Sequence, residues 1–259
     1  MTDLQDAAPP ALTLEGAVAT IEFRRPRQAN RVEPEDLDVL HRHLEALERD
    51  AALRVLVFRG RGRHFSAGYT IQKLPAGEGR ADGGGAFERL VNRVEDLALV
   101  TIAALNGGVY GGSTDLALAC DFRVGTAASE MLMPAARLGL HYYERGLHRY
   151  VSRLGLNHAK ELFLTARKID ARRMLETGYL SELVEADRLD ARVRELADTV
   201  AGLAPLAVAG MKRALNEIAR GALDRDALRE RVAQCGASQD LREGVQAWQE
   251  KRAPRFTGR

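Results

Sequence analysis

Cysteine is nearly absent from this chain: its 259 residues hold only Cys120 and Cys235. The two stand far apart and without metal-ligand spacing, so neither a disulfide framework nor a zinc site is indicated. No apolar run approaches the length of a membrane span. Charge of one sign is missing too, since 38 Lys and Arg against 36 Asp and Glu leave a formal +2, which favours no class of partner. Aromatics make up 5%. The arginine clusters Arg24, Arg25, Arg27 and Arg59, Arg61, Arg63 lack the interleaved aromatics that a nucleic-acid surface would want. Met1 to Glu15 carries acids and Pro9-Pro10 where a signal peptide would have a basic start and an apolar core. A soluble cytoplasmic protein, engaging neither membrane nor nucleic acid, is the expectation.

What remains is an ordinary globular composition, 46% hydrophobic and 29% charged, long enough to bury a substantial core. Val18 to Phe23 reads as a strand, Pro34 opens a helix with Leu37, Leu40, Leu44 and Leu47 at helical spacing, and Val55 to Phe58 reads as the next strand. That βαβ rhythm predicts a layered α/β domain. Gly77, Gly79, Gly83, Gly84 and Gly85 make 75–85 a loop, either a lid or a plain connector. Gly112 to Ala119 reads as a helix and Phe122 to Val124 as a strand; from Gly146 onward helix signals dominate. The expected organisation is a core over 1–195 and a helical region over 196–259.

Two glycine-rich turns carry the chemistry: Phe65-Ser66-Ala67-Gly68-Tyr69-Thr70-Ile71, and Asn106-Gly107-Gly108-Val109-Tyr110-Gly111-Gly112-Ser113-Thr114-Asp115. Each follows an apolar run and leads toward helix-like sequence. Glycine permits close backbone approach, and the first N–H groups of a helix have no intrahelical acceptor. A pair of such turns at one sheet edge suits two donors converging on one oxyanion. Gly60-Arg61-Gly62 is followed by Phe65 where a dinucleotide fingerprint needs its third glycine, which rejects a nicotinamide site. Ser66 sits in no Gly-x-Ser-x-Gly elbow, which argues against a serine hydrolase.

Phe65-Ser66-Ala67-Gly68 before a bulky residue, and Gly111-Gly112 ahead of an acid and Leu116-Ala117-Leu118-Ala119-Cys120-Asp121, resemble the enoyl-CoA hydratase/isomerase (crotonase) superfamily. So do Arg25-Pro26 with Asn30, Leu138-Gly139-Leu140, and the ending Lys251 to Phe256. The resemblance implies a crotonase-like spiral of ββα repeats with a helical C-terminal trimerisation region, assembled as a homotrimer or homohexamer. It also implies an acyl-CoA substrate, with coenzyme A as the thioester carrier and no further cofactor or metal. The implied oxyanion donors are the amides of Tyr69 and Gly112. Coenzyme A is expected along Ala67, Gly68, Thr70 and Ile71, with its phosphates near Arg24, Arg25 and Lys251.

Hydratases of the superfamily use two glutamates. Here Asp115 occupies the first position and Ala135, after Pro134, the second, so two-carboxylate water addition lacks a partner. Leu74-Pro75, Leu138 to Tyr142, Lys160-Glu161-Leu162 and Thr165-Ala166 are similar to the methylmalonyl-CoA decarboxylase branch, with Tyr142 matching its active-site tyrosine. Tyr69 and Asp115 depart from it, standing where that branch has histidine and glutamate. The expectation is bond breaking alpha to a thioester carbonyl, with Asp115 and Tyr142 handling the acyl part and Tyr143 packing. The alternatives are a hydratase or isomerase of fatty-acid or aromatic-acid catabolism, and a non-catalytic, RNA-binding protein of the same fold.

Overall fold

Alternation along three strands decides the architecture. In the computed structural model, which describes residues 8–70 and 85–259, β1 (Ala8–Glu15) and β2 (Val18–Arg24) pair antiparallel. Then β3 (Val55–Gly60), β4 (Val100–Leu105), β6 (Phe122–Thr126) and β9 (Glu182–Val184) add in parallel, in the order β1-β2-β3-β4-β6-β9. Successive side chains of a strand point to opposite faces. Ala19, Ile21, Phe23, Leu56, Phe58, Ala103 and Leu105 therefore enter one core, while Val18, Val55, Val57, Val100, Ile102 and Ala104 enter another. A sheet apolar on both faces must be covered on both.

The first face is covered by α1 (Pro34–Arg49), α2 (Ala86–Asp96) and α3 (Gly112–Ala119), the second by α7 (Leu189–Ala201). Helix α1 begins as its sequence suggests, with Pro34 at its first turn and a capping box between Glu33 and Asp36. Helix α7 presents Leu189, Val193, Ala197 and Val200 on one stripe. The expected division at residue 195 thus falls inside a helix that packs on the sheet.

A second set of strands gives the spiral. β5 (Val109–Tyr110), β7 (Glu130–Leu132) and β8 (Ile169–Asp170) form a small sheet, and single parallel bridges extend it from Val109 to Ser66 and join Tyr69 to Val32. Each turn of chain contributes one strand to the large sheet, one short stretch to the small one, and then a helix: β2, Val32, α1; β3, Ser66 to Tyr69, α2; β4, β5, α3; β6, β7, α4 (Glu144–Leu154). This is the ββα spiral the resemblance implies. Because neighbouring turns pair in register, the stretches following β3 and β4 lie side by side. After α5 (Leu156–Thr165) and α6 (Ala171–Glu176), the chain past α7 is helical: α8 (Pro205–Ala219), α9 (Arg225–Ala237) and α10 (Gln239–Glu250). Ile71, Leu74-Pro75 and the glycine-rich stretch up to Gly84 lie outside the described residues.

Candidate active site

The two glycine turns meet. Ser66 bridges Val109, Tyr110 N–H donates to the Ser66 carbonyl at 2.9 Å, and Phe65 N–H donates to the Gly108 carbonyl at 3.0 Å. Gly68 has φ +87°, and a Cβ there would stand 2.6 Å from the Tyr110 carbonyl oxygen and 2.9 Å from the Gly112 nitrogen. Only glycine lets the turns approach so closely. Gly112 opens α3 and its N–H belongs to the helix's first turn, where no intrahelical acceptor exists. Ser66 and Ser113 tie the turns together from behind: the Ser113 hydroxyl donates to Ser66 Oγ at 2.7 Å, Ser66 donates to the Asn30 carbonyl at 2.8 Å, and Gly68 N–H donates to Ser66 Oγ at 3.2 Å. Both hydroxyls are fully buried.

Phe87, at the start of α2, walls the pair. A Cβ on Gly112 would meet its ring at 2.7 Å, and the Tyr69 and Phe87 rings lie 5.5 Å apart. Ala67 N–H donates to the Ala29 carbonyl and Thr70 N–H to the Val32 carbonyl, so the stretch expected to meet coenzyme A is pinned to the segment after β2 by backbone bonds. Ala135, the second position of the expected pair, is buried at the start of a short turn of helix after Pro134.

Asp115, the one carboxylate of the expected pair, is fully buried one turn into α3. Arg149 of α4 grips it with two hydrogen bonds, Nε to Oδ1 at 2.9 Å and Nη2 to Oδ2 at 2.7 Å, and the Tyr143 hydroxyl donates to Oδ2 as well. Such a fork neutralises a carboxylate and fills its lone pairs. Tyr142, expected to accompany Asp115, directs its hydroxyl to its neighbour Tyr143: the two rings stack at 4.4 Å and the hydroxyls lie 3.5 Å apart, while the Tyr142 ring also packs against Phe163 and Tyr150. The residue expected merely to pack, Tyr143, is the one that bonds the carboxylate. Burial first, and the Asp115 charge second, push both phenols well above their ordinary value, so both stay protonated hydroxyls at neutral pH.

Behind Asp115 stands a buried charge network. Arg149 Nη1 also donates to Asn92 Oδ1 at 3.0 Å and to Glu95 Oε2 at 3.2 Å, and Glu95 meets Arg145, Arg153 and Arg220 besides. Burial works to raise the Glu95 pKa, but Arg149, Arg145 and Arg153 outweigh it and hold the group below its ordinary value. Burial likewise opposes the charge on Arg149, yet its bonds to Asp115 leave that guanidinium more firmly protonated than usual. Neither Arg149 nor Phe87 was found in the sequence. The available signal was complementary spacing: Arg145, Arg149 and Arg153 recur every four residues on α4, facing Asn92 and Glu95 of α2.

The remaining expected residues are scattered. Arg24 is half-buried and donates to the Pro9 carbonyl at 2.9 and 2.7 Å. Arg25, expected near phosphates, is instead sunk in the protein, where its guanidinium meets Asp36 at 2.5 Å and its N–H donates to Asn30 Oδ1; desolvated and paired, it serves the turn that Asn30 organises. Lys251 ends α10 in the left-handed region with φ 54° and is exposed. Among the described residues no hydrogen bond or ion pair joins its side chain to the glycine turns. His141 is exposed and its ring contacts the Tyr142 carbonyl.

A sequence model of the family described as "Enoyl-CoA hydratase/isomerase" matches residues 13–259. Among characterised proteins, the chain is 34% identical to the carnitinyl-CoA dehydratase of Proteus mirabilis over 96% of this chain and 98% of that one. It is 29% identical to the methylmalonyl-CoA decarboxylase of Escherichia coli over 93% and 95%. A solved structure described as an enoyl-CoA hydratase/carnithine racemase from Magnetospirillum magneticum superposes with a TM-score of 0.88 at 25% identity, covering 98% of this chain and 97% of the other. With the paired glycine turns and the ββα spiral in place, these likenesses span the whole of the described fold, and the chain belongs to the enoyl-CoA hydratase/isomerase family.

Proposed function

We propose that this protein cleaves or forms a bond alpha to the carbonyl of an acyl-CoA thioester, with the Tyr69 and Gly112 amides holding the enolate oxygen, and that it works as a decarboxylase and not as a hydratase. Support for the oxyanion hole comes from the contact between the Gly68 turn and the first turn of α3; one such donor is typically worth about 3 kcal/mol at the transition state. In decarboxylation the Cα–carboxyl bond breaks, its electron pair enters the enolate, carbon dioxide leaves, and Cα then takes a proton. The apolar wall of Phe87 and the protonated phenols of Tyr142 and Tyr143 suit a pocket that expels a charged carboxylate as a neutral gas.

One observation carries the choice against hydration. The single remaining carboxylate of the hydratase pair, Asp115, is clamped by Arg149 and Tyr143, and its missing partner is Ala135. Activating a water and protonating Cα together needs two groups free to exchange protons. Coenzyme A is the carrier of the acyl group in this reading, and no other cofactor is required.

Assembly as a trimer or a pair of trimers has its own support. Met211, Leu215 and Ile218 form one stripe of α8 that is 59%, 65% and 56% exposed, and Trp248 on α10 is 86% exposed. An apolar stripe of that extent wants a partner surface, which a neighbouring subunit would supply.

The test of the reaction class is crotonyl-CoA. Loss of its enoyl absorbance is expected to be slow or undetectable with the natural protein and to rise, if at all, only in Ala135→Glu. Efficient hydration by the natural protein would return the function to ordinary enoyl-CoA hydration.

A further inference from the structure

The polar stripe of α2 has a third member. Glu88, Asn92 and Glu95 lie on one side of that helix and face Arg145 and Arg149 of α4 and Asp115 of α3. Their partners differ sharply. Glu95 has four arginines around it, and Asp115 has a bidentate arginine and a phenol. Glu88 is buried as well, yet among the described residues its carboxyl has only a long contact from Asn92 Nδ2, at 3.4 Å, and no cation within ion-pairing distance. Burying a carboxylate without a cation is costly, and such residues are rare unless they have a use.

Its position indicates the use. Glu88 follows Phe87 directly, and Phe87 is the residue whose ring closes over Gly112 and Tyr69. Glu88 also lies near enough to Asp115, one turn beyond Gly112 in α3, for their charges to interact, and the stripe ends, at Glu95, in the charge network around Arg149. Resting on the acyl-CoA reading above, we infer that Glu88 is the group that delivers a proton to, and takes one from, the α-carbon of the thioester held in the oxyanion hole.

The chemistry balances on one carboxyl group. When carbon dioxide has left, the enolate collapses, Cα bonds the Glu88 proton, and the resulting carboxylate regains a proton from solvent. In the opposite direction the Glu88 carboxylate removes a Cα proton and the electron pair enters the enolate. A group with this task must exist in both protonation states near neutral pH. Glu95, surrounded by arginines, is held below its ordinary value, and both oxygens of Asp115 are committed to Arg149 and Tyr143. Burial raises the Glu88 pKa, and the nearby Asp115 charge adds to that, against the opposing pull of the Asn92 bond, Arg149 and Arg145.

Exchange of the α-protons of propionyl-CoA in deuterated buffer, followed by mass spectrometry, reads this proton transfer without any need to know the natural acyl group. The natural protein is expected to catalyse exchange. Glu88→Gln is expected to lower it by about 10²-fold or more, with propionyl-CoA affinity and the circular dichroism spectrum unchanged. Glu88→Asp, which keeps the carboxyl one methylene short, is expected to retain partial exchange with a displaced pH profile, and it carries the test should the glutamine variant fail to fold. Wild-type exchange in Glu88→Gln, or a wild-type rate and profile in Glu88→Asp, overturns the assignment. So does a natural protein that binds propionyl-CoA without exchanging its protons, while the acyl-CoA reading survives. A natural protein that does not bind propionyl-CoA at all overturns both.

Discussion

Replacing Arg149 by methionine removes a guanidinium whose side chain is 2% exposed and which makes two bonds to Asp115, one to Asn92 and one to Glu95. Glu95 keeps Arg145, Arg153 and Arg220, so the damage concentrates on Asp115. That carboxylate, fully buried, would retain the Tyr143 hydroxyl and, among the described residues, have no ion-pair partner. Breaking one side of a buried ion pair typically costs about 3–5 kcal/mol. In a chain of this size 1 kcal/mol moves the midpoint by roughly 2–4 °C, so thermal unfolding followed by circular dichroism at pH 7 should show Arg149→Met melting on the order of 10 °C below the natural protein. Because most of the penalty is an unpaired charge, adding Asp115→Asn should recover much of the loss. A single variant within about 2 °C of the natural protein would refute the reasoning, and so would a double variant less stable than the single one.

Gly68→Ala should lower turnover by about 10²-fold or more, because a methyl 2.6 Å from the Tyr110 carbonyl and 2.9 Å from the Gly112 nitrogen forces the two donor turns apart; undiminished kcat would contradict the convergence of the donors. Glu95, held below the ordinary 4.5 by its arginines, contributes stability that is present above that pH and lost as acid carries the protein through the depressed folded value. Glu95→Gln should therefore be less stable at pH 7, and its deficit should close on acidification below about 4.5; a deficit independent of pH would argue that the charge is not what matters. Lys251→Ala should keep its fold and bind coenzyme A more weakly, measured by calorimetry, whereas unchanged affinity would remove Lys251 from the phosphate site.

What could be read in the sequence was what repeats locally. The alternation in Val18 to Phe23, the leucines of α1 and the two glycine turns each announce themselves within about ten residues, and each has the expected form. The interior of the site did not announce itself, because its contacts join distant segments: Arg149 meets Asp115 across 34 residues and Asn92 across 57. The adjacent tyrosines could not be told apart by sequence, since which phenol reaches Asp115 depends on how the chain enters α4 at Tyr143. Arg25 looked like a surface cation beside Arg24 and Arg27; its partner Asp36 lies eleven residues on, in the first turn of α1. Glu88 was hidden by its setting, a buried acid in a helix whose other inward residues are mostly apolar.

The most direct measurement of the central proposal is the mass of the product when the protein is offered a panel of acyl-CoA thioesters that includes both α-carboxylated and α,β-unsaturated members. An oxyanion hole without a free pair of hydratase carboxylates should release carbon dioxide from an α-carboxylated thioester and leave crotonyl-CoA unchanged. Gain of water on the unsaturated thioester, with the α-carboxylated ones intact, would contradict it.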